Sequence, residues 1–246
     1  MELSLNSVTK KFGDFTAVSQ VTLTMECGVY GLLGMNGAGK TTLMRMLCTV
    51  LHPTSGSITY NGEEIFQLDR RYRSVIGYLP QEFGYYPDLT VIDYLMYIAS
   101  LKGIRTAAAG RRIRELLDLV HMNGEQNKKM KQLSGGMKRR VGIAQSMLND
   151  PEILILDEPT AGLDPMERIR FRSMIGDLGG NRIVLLSTHI VSDIEAIADR
   201  VFLMKDGALA ASGSVEELCQ NTGGTSLEDV FLYYFGGMGK AVHAEV

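Results

Sequence analysis

Nine residues, Gly34 to Thr42 (GMNGAGKTT), constrain this chain more than any others. They follow an apolar run of strand length, Val29 to Leu33. They lead into TTLMRMLCTVL, where Leu43, Met46, Leu47 and Val50 recur at helical spacing. A stretch of the form G-x-x-x-x-G-K-[ST] between strand and helix reads as a phosphate-binding loop. A triphosphate crowds negative oxygens together, so its binder needs donors that approach with no side chain in the way. Gly34, Gly37 and Gly39 let backbone N–H groups turn inward as a cradle, which Asn36, Ala38 and Thr42 complete. The following helix points its positive end at the phosphates. Lys40 then reaches the β- and γ-phosphates, and the Thr41 hydroxyl ligates Mg²⁺. Lys40 is expected to stand exposed in the empty cradle. The expectation is a nucleoside triphosphate site.

The rest of the chain supplies a frame for such a loop. Residues 3 to 25 alternate apolar and polar, which predicts an antiparallel hairpin turning at Phe12-Gly13-Asp14. Phe12 either anchors that turn by packing or stacks on a nucleotide base, and the residues alone favour neither. His52 to Ser57 reads as a loop, followed by a short strand ITY, a turn at Asn61-Gly62 and a buried strand from Val75 to Leu79. Thr90 caps a helix that stops at Gly103, and a second helix covers about Ala107 to Val120, with Ile113, Leu116, Leu117 and Val120 on one face. Between Gln81 and about Asp150 only helices are expected, including one from Met137 to Asp150, as if a helical subdomain were inserted into an α/β core. Strand and helix alternate on both sides of it, which predicts a mostly parallel sheet covered on both faces.

Ligands in such sheets sit at the carboxyl ends of strands. Gly34, Gln81, Asp157 and His189 all fall there. Asp157, after four apolar residues, is placed to hold Mg²⁺ directly or through water. Glu158 is either a general base for the attacking water or a helix N-terminal charge. Gln81 is placed to orient water and sense the metal. His189 either holds the γ-phosphate from the side opposite Lys40 or is structural. Ser134-Gly135-Gly136 precedes a helix, so a hydroxyl and bare N–H groups make a second anion corner. A second corner away from the first loop implies two copies of the chain, each completing the other's site.

In the order they occur, a Walker A loop, LPQ with Gln81, LSGGM (Leu133–Met137), LILDEP, AGLDP (Ala161–Pro165) and STH with His189 resemble the motifs of ABC ATPases. The resemblance covers roughly residues 3 to 217. It implies a P-loop NTPase (RecA-like) α/β fold with an N-terminal antiparallel part and an inserted helical subdomain at about 82–150. It implies ATP and Mg²⁺ as cofactors, Glu158, His189 and Gln81 as catalytic residues, and Thr41, Gln81 and Asp157 around the metal. By the same resemblance Ser134 and Gly136 contact ATP bound by the opposite subunit, Phe12 stacks on the base, and Asp164 links subunits. The Phe83–Leu89 loop becomes a groove for a permease's cytoplasmic helix. Two residues depart from the common pattern, Phe12 for tyrosine and Met137 for glutamine, and neither removes a phosphate or metal contact.

Ser214 to Glu217 reads as a capping-box helix start. Beyond it, Leu227, Val230, Phe231 and Tyr234 form an amphipathic stripe, and the LEDVF segment resembles bacterial multidrug and antibiotic exporters whose ATPase and permease are separate chains. The expected organisation is an ATPase domain over 1–225 and a short helical tail over 226–246. Packing of that stripe on its own domain is the other reading. The expected partners are a separate permease and a second copy, with a heterodimer possible, at the cytoplasmic face of a membrane. A net charge of −3 gives no reason to expect nucleic acid. The opening residues carry no secretory h-region and no apolar run approaches a membrane span. Cys27, Cys48 and Cys219 are read as idle thiols, and His52, His121 and His243 as surface residues. A translation or repair motor normally carries two cassettes or a long coiled coil, which these 246 residues do not hold. Glu158 and His189 argue against a module that binds nucleotide without hydrolysing it.

Overall fold

Apolar alternation folds the first 25 residues on themselves. β1 (Leu3–Phe12) and β2 (Phe15–Met25) pair antiparallel, from Leu3 opposite Met25 to Phe12 opposite Phe15. The computed structural model describes residues 1–236. After β2 come β3 (Gly28–Leu33), α1 (Lys40–Leu47), β4 (Ser55–Tyr60) and β5 (Glu63–Glu64), the last two joined through Asn61-Gly62. Both turn residues have positive φ, 50° and 83°, as a tight hairpin requires. Two short helices, α2 (Ile65–Leu68) and α3 (Arg70–Val75), precede β6 (Ile76–Leu79). Next stand α4 (Val91–Leu101), α5 (Thr106–Leu119) and α6 (Gly135–Ser146). The chain then runs β7 (Ile153–Asp157), α7 (Pro165–Leu178), β8 (Ile183–Thr188), α8 (Val191–Glu195), β9 (Arg200–Lys205), β10 (Ala208–Gly213), α9 (Val215–Thr222) and α10 (Leu227–Phe235).

Two sheets result. One, in the order β2-β1-β4-β5, is antiparallel throughout. The other, β10-β9-β3-β8-β7-β6, is parallel except for the β9–β10 pair. The mixed α/β class expected from the sequence is therefore observed. Strands β3, β7 and β8 are buried along their whole length, as a parallel sheet covered on both faces demands.

Alternation along those strands separates two cores. Val29, Leu33, Leu154, Leu156, Val184 and Leu186 face one side, where α4 to α10 pack. Tyr30, Leu32, Ile153, Ile155, Ile183 and Leu185 face the other, against α1 and the antiparallel sheet. Within the first core the expected stripe of α5 is buried: Ile113, Leu116, Leu117 and Val120. Thr90 caps α4 as expected, its Oγ1 accepting the Asp93 N–H. Leu227 and Val230 of α10 are buried and Phe231 and Tyr234 half-buried against the same core, so the tail stripe packs on its own chain. His243 lies outside the described residues, and His52, exposed, stacks on Phe66 at 4.2 Å. Among the described residues no helix is long and apolar enough to cross a membrane.

Several boundaries differ from expectation. α1 stops at Leu47, and Val50 is 65% exposed rather than part of the stripe. The N–H groups of Val50 and Leu51 both turn back to the Arg45 carbonyl, which closes the helix early. β4 begins at Ser55, inside the expected loop, and Val75 ends α3 rather than opening β6. α6 begins at Gly135 and ends at Ser146, short of Asp150.

One side chain fastens α6 to the sheet. Arg139 is buried, and its guanidinium donates to five carbonyls at two strand ends. These are Pro80 (3.0 Å) and Gln81 (2.9 Å) after β6, and Asp157, Glu158 (2.7 Å) and Pro159 (3.2 Å) at β7. Burial pushes its pKa down to about 10, against the pull of Asp157 and Glu158, so it stays charged at neutral pH. Arg139→Met leaves those carbonyls without their donor, and a loss of about 3 kcal/mol in unfolding free energy is expected. Urea denaturation measures it. Arg139→Lys is expected to recover little, since an ammonium has three donors and no planar fork. An unchanged midpoint for Arg139→Met would show that α6 is held by apolar packing alone.

Candidate active site

β3, β8, β7 and β6 lie side by side and parallel, so the residues that end them share one edge of the sheet. That edge brings together Gly34, His189, Asp157 and Gln81, the four strand-end residues singled out from the sequence. Beyond Leu33 the chain winds through the glycine loop and enters α1 at Lys40. Gly39 has φ +100°, and a Cβ there would sit 2.3 Å from the Ala17 carbonyl oxygen. Only glycine takes that turn in that space.

Lys40 is not exposed. It is 6% exposed, and its Nζ donates to the carbonyls of Gly34 (2.6 Å) and Met35 (3.2 Å). The expectation of a free lysine is corrected: an ammonium at the rim of an apolar sheet folds back onto its own loop for acceptors. Its Nζ also stands 4.0 Å from Glu158 Oε1. Burial pushes the Lys40 pKa down, and the Glu158 and Asp157 carboxylates pull it back up. Asn36, Gly37, Ala38, Gly39, Lys40, Thr41 and Thr42 line a cavity of about 370 Å³. Phe15, Ala17, Gln81 and Glu158 form the rest of its wall.

Asp157 is fully buried. Its Oδ1 accepts the Ser187 hydroxyl at 2.5 Å, and its Oδ2 has no hydrogen-bond partner. A buried carboxylate oxygen left unpaired is costly unless a cation takes it. Together with the half-buried Thr41 hydroxyl on the first turn of α1, this donor set fits Mg²⁺, a hard ion that takes oxygen ligands. Glu158, next along, is buried and has φ +48°. Its N–H donates to the Ser187 carbonyl (3.2 Å) and to Ser187 Oγ (3.0 Å). His189 Nδ1 meets Glu158 Oε2 at 3.0 Å. A protonated Nδ1 would donate to this carboxylate, and the His189 side chain is 53% exposed.

Ser134, Gly135 and Gly136 are not among the described residues that line the cavity. Ser134 caps α6, its Oγ accepting the Met137 N–H at 3.2 Å, and Ser134 and Gly135 are exposed. Asp164 caps α7 by accepting the Glu167 N–H at 2.8 Å. Phe12 is 50% exposed at the hairpin tip with Lys10 Nζ 5.2 Å from its ring centroid. Phe12 does not figure in the cavity wall, whereas its register partner Phe15, 65% exposed, does.

Sequence reasoning passed over Phe15, Arg139 and Ser187. Phe15 was marked only by standing across the turn from Phe12. Arg139 lay within a basic stretch, yet it shares a helical face with Gly136, Ile143 and Ser146, all buried. Ser187 is the first polar residue in the apolar run of β8. Phe15 and Arg139 carry no motif, and Ser187 entered only as the first residue of the STH segment quoted for His189.

Known proteins resemble this chain. The ABC transporter family model matches residues 18–161, more than half of the chain. A Bacillus subtilis (strain 168) protein described as the uncharacterized ABC transporter ATP-binding protein YxlF is 40% identical over 221 residues, 89% of this chain and 72% of its own length. The Nod factor export ATP-binding protein I of Burkholderia lata is 35% identical over 234 residues, 93% of this chain and 76% of its own. Among solved structures, the dimeric bacterial ABC transporter cassette MJ0796 superposes with a TM-score of 0.78 at 26% identity, covering 86% of this chain and 98% of that one. Because the matched span includes the phosphate loop and both strand-end carboxylates, this chain belongs to the ABC transporter family as an ATP-binding, ATP-hydrolysing subunit.

Proposed function

We propose that two copies of this chain close on two ATP molecules and so drive a separate membrane permease, in the direction of export. The observation that carries the reading is the division of the anion-binding groups. The glycine loop and Lys40 line one cavity, while the exposed Ser134 corner at the start of α6 stands outside it. A second copy would complete such a corner, a reading supported by the dimeric structure of the MJ0796 cassette. Both halves lie on this one chain, so a homodimer suffices.

In this reading Gly34 to Thr42 cradle the phosphates, and Lys40 gives up its loop carbonyls for phosphate oxygens. Phe12, with Phe15 beside it, takes the base. Thr41, Asp157 and Gln81 hold Mg²⁺, which when bound neutralises the phosphate charge. Glu158 takes the proton of the attacking water, and His189 fixes Glu158 through its Oε2. Ser134 and Gly136 meet the γ-phosphate only in the closed dimer, and that difference in contact is what couples ATP to closure. The permease would dock at the Phe83–Leu89 loop. There Tyr86 is exposed and sets its ring edge-on to Tyr97 at 5.3 Å, while Lys138 lies 5.1 Å over Tyr85. Aromatic rings with a polar tip suit a protein contact. Such a partner places the chain at the cytoplasmic face of the membrane. The Nod factor export name of one relative and the LEDVF segment support export over import.

Two experiments test the reading. Glu158→Gln keeps an acceptor for His189 but cannot take a proton from water, so hydrolysis is expected to fall by about 10²–10⁴-fold. ATP then persists between the subunits. Gel filtration with Mg-ATP should show a dimer, with ADP a monomer. A variant that stays monomeric at saturating Mg-ATP overturns self-association and points to a heteromeric partner or a need for the permease.

Lys40→Ala and Ser134→Arg are each expected to abolish hydrolysis, the first by weakening ATP binding and the second while sparing it in the monomer. Mixed together they form dimers in which one site carries both lesions and the other none. Activity recovered on mixing supports sharing across the interface. A Ser134→Arg protein that hydrolyses at the normal rate removes Ser134 from the opposite site.

A further inference from the structure

We infer that Ser187 is a positioning residue for both carboxylates of the site: its hydroxyl turns Asp157 so that one oxygen is left for the metal, and it anchors the backbone of Glu158. The inference rests on the reading of Asp157 as a metal-binding group. Asp157 and Ser187 are direct partners in the β7–β8 register, and both are fully buried. The hydroxyl has a single proton, and it goes to Asp157 Oδ1 at 2.5 Å. Its lone pair accepts the Glu158 N–H at 3.0 Å. One oxygen thus faces both residues, a donor to one and an acceptor to the other, as only a hydroxyl can be.

The arrangement breaks the symmetry of the carboxylate. With Oδ1 occupied, Oδ2 is the oxygen that remains, buried and without a partner. Without the hydroxyl, the Asp157 side chain could turn about its last bond, and two unpaired oxygens would compete for one cation. The position of Glu158 depends on the same atom, because its φ of +48° is held where its N–H meets the Ser187 carbonyl and hydroxyl together. Thr188, next along β8, turns its own hydroxyl to the Ile190 N–H instead. Ser187, buried and not among the residues that line the cavity, therefore acts on the reaction through its two neighbours.

The test separates metal binding from folding. Affinity for a non-hydrolysable β,γ-imido ATP analogue is measured in EDTA and in Mg²⁺, and ATPase kinetics are run in parallel. Ser187→Ala is expected to keep the EDTA affinity, to lose about tenfold of the gain that Mg²⁺ brings, and to lower kcat about tenfold with little change in KM. Ser187→Thr retains the hydroxyl and is expected to restore both. A Ser187→Ala protein with an undiminished Mg²⁺ gain overturns the inference. So does an equal loss of affinity in EDTA and in Mg²⁺, which would mark a structural role, or a Ser187→Thr protein as impaired as Ser187→Ala. Asp157→Asn serves as the reference. If it too keeps the full Mg²⁺ gain, the metal reading of Asp157 has failed; if it loses the gain while Ser187→Ala keeps it, only the role of Ser187 has failed.

Discussion

Asp157 and Glu158 are two carboxylates set where an apolar strand ends, and both are buried, as are Lys40 and Arg139 around them. Taking an ion out of water costs several kcal/mol even after the protein relaxes, so each charge here must find partners inside the fold. Lys40 finds two loop carbonyls and Glu158; Arg139 finds five carbonyls; Glu158 finds His189 and Lys40; Asp157 finds Ser187. Of these four side chains, Asp157 has the one buried atom left without a partner, its Oδ2. A rim so paired, with one buried oxygen left over, fits a cation held beside the phosphates.

The geometry that makes this possible is the parallel sheet. Because β3, β8, β7 and β6 run the same way, their carboxyl ends come to one edge, although the residues there span Gly34 to His189 in the chain. The two cores on either face fix the height of each strand, since Ile155, Leu185 and Leu32 lock into one while Leu156, Leu186 and Leu33 lock into the other. A strand slipped by one residue would exchange the two sets and turn Asp157 away from Ser187.

Much of this was legible in the sequence because the relevant signals are contiguous. The glycine loop, the apolar strands that end in Asp157 and His189, and the stripe of α5 each lie within a single short window. What stayed hidden depends on partners distant in the chain. The burial of Lys40 requires carbonyls that a folded loop presents, and Arg139 in a basic stretch looks like any solvated arginine until β6 and β7 arrive. Ser55-Gly56 read as a loop because glycine is poor in strands. Yet Gly56 lies in β4 with φ +86°, and a Cβ there would meet the Ser7 carbonyl oxygen at 2.4 Å, at the bulge where β1 shifts register. The end of α1 was missed because its apolar spacing continues to Val50, while the chain closes the helix through backbone bonds to Arg45 that no residue type announces.

Glu158 carries the last step. Successive residues of a strand point to opposite faces, so in an extended chain Asp157 and Glu158 would point apart. A single left-handed residue breaks that alternation, at a cost of about 1–2 kcal/mol for a residue with a Cβ. With φ +48° at Glu158, both carboxylates come to bear on Lys40, one by a 4.0 Å approach and the other through its field. The turn is held from two sides: Ser187 of β8 takes the Glu158 N–H and Arg139 of α6 takes its carbonyl. A strained residue, fixed by one strand and one helix, therefore lets two adjacent carboxylates act on the same lysine, with Glu158 in the cavity wall and Asp157 buried behind it.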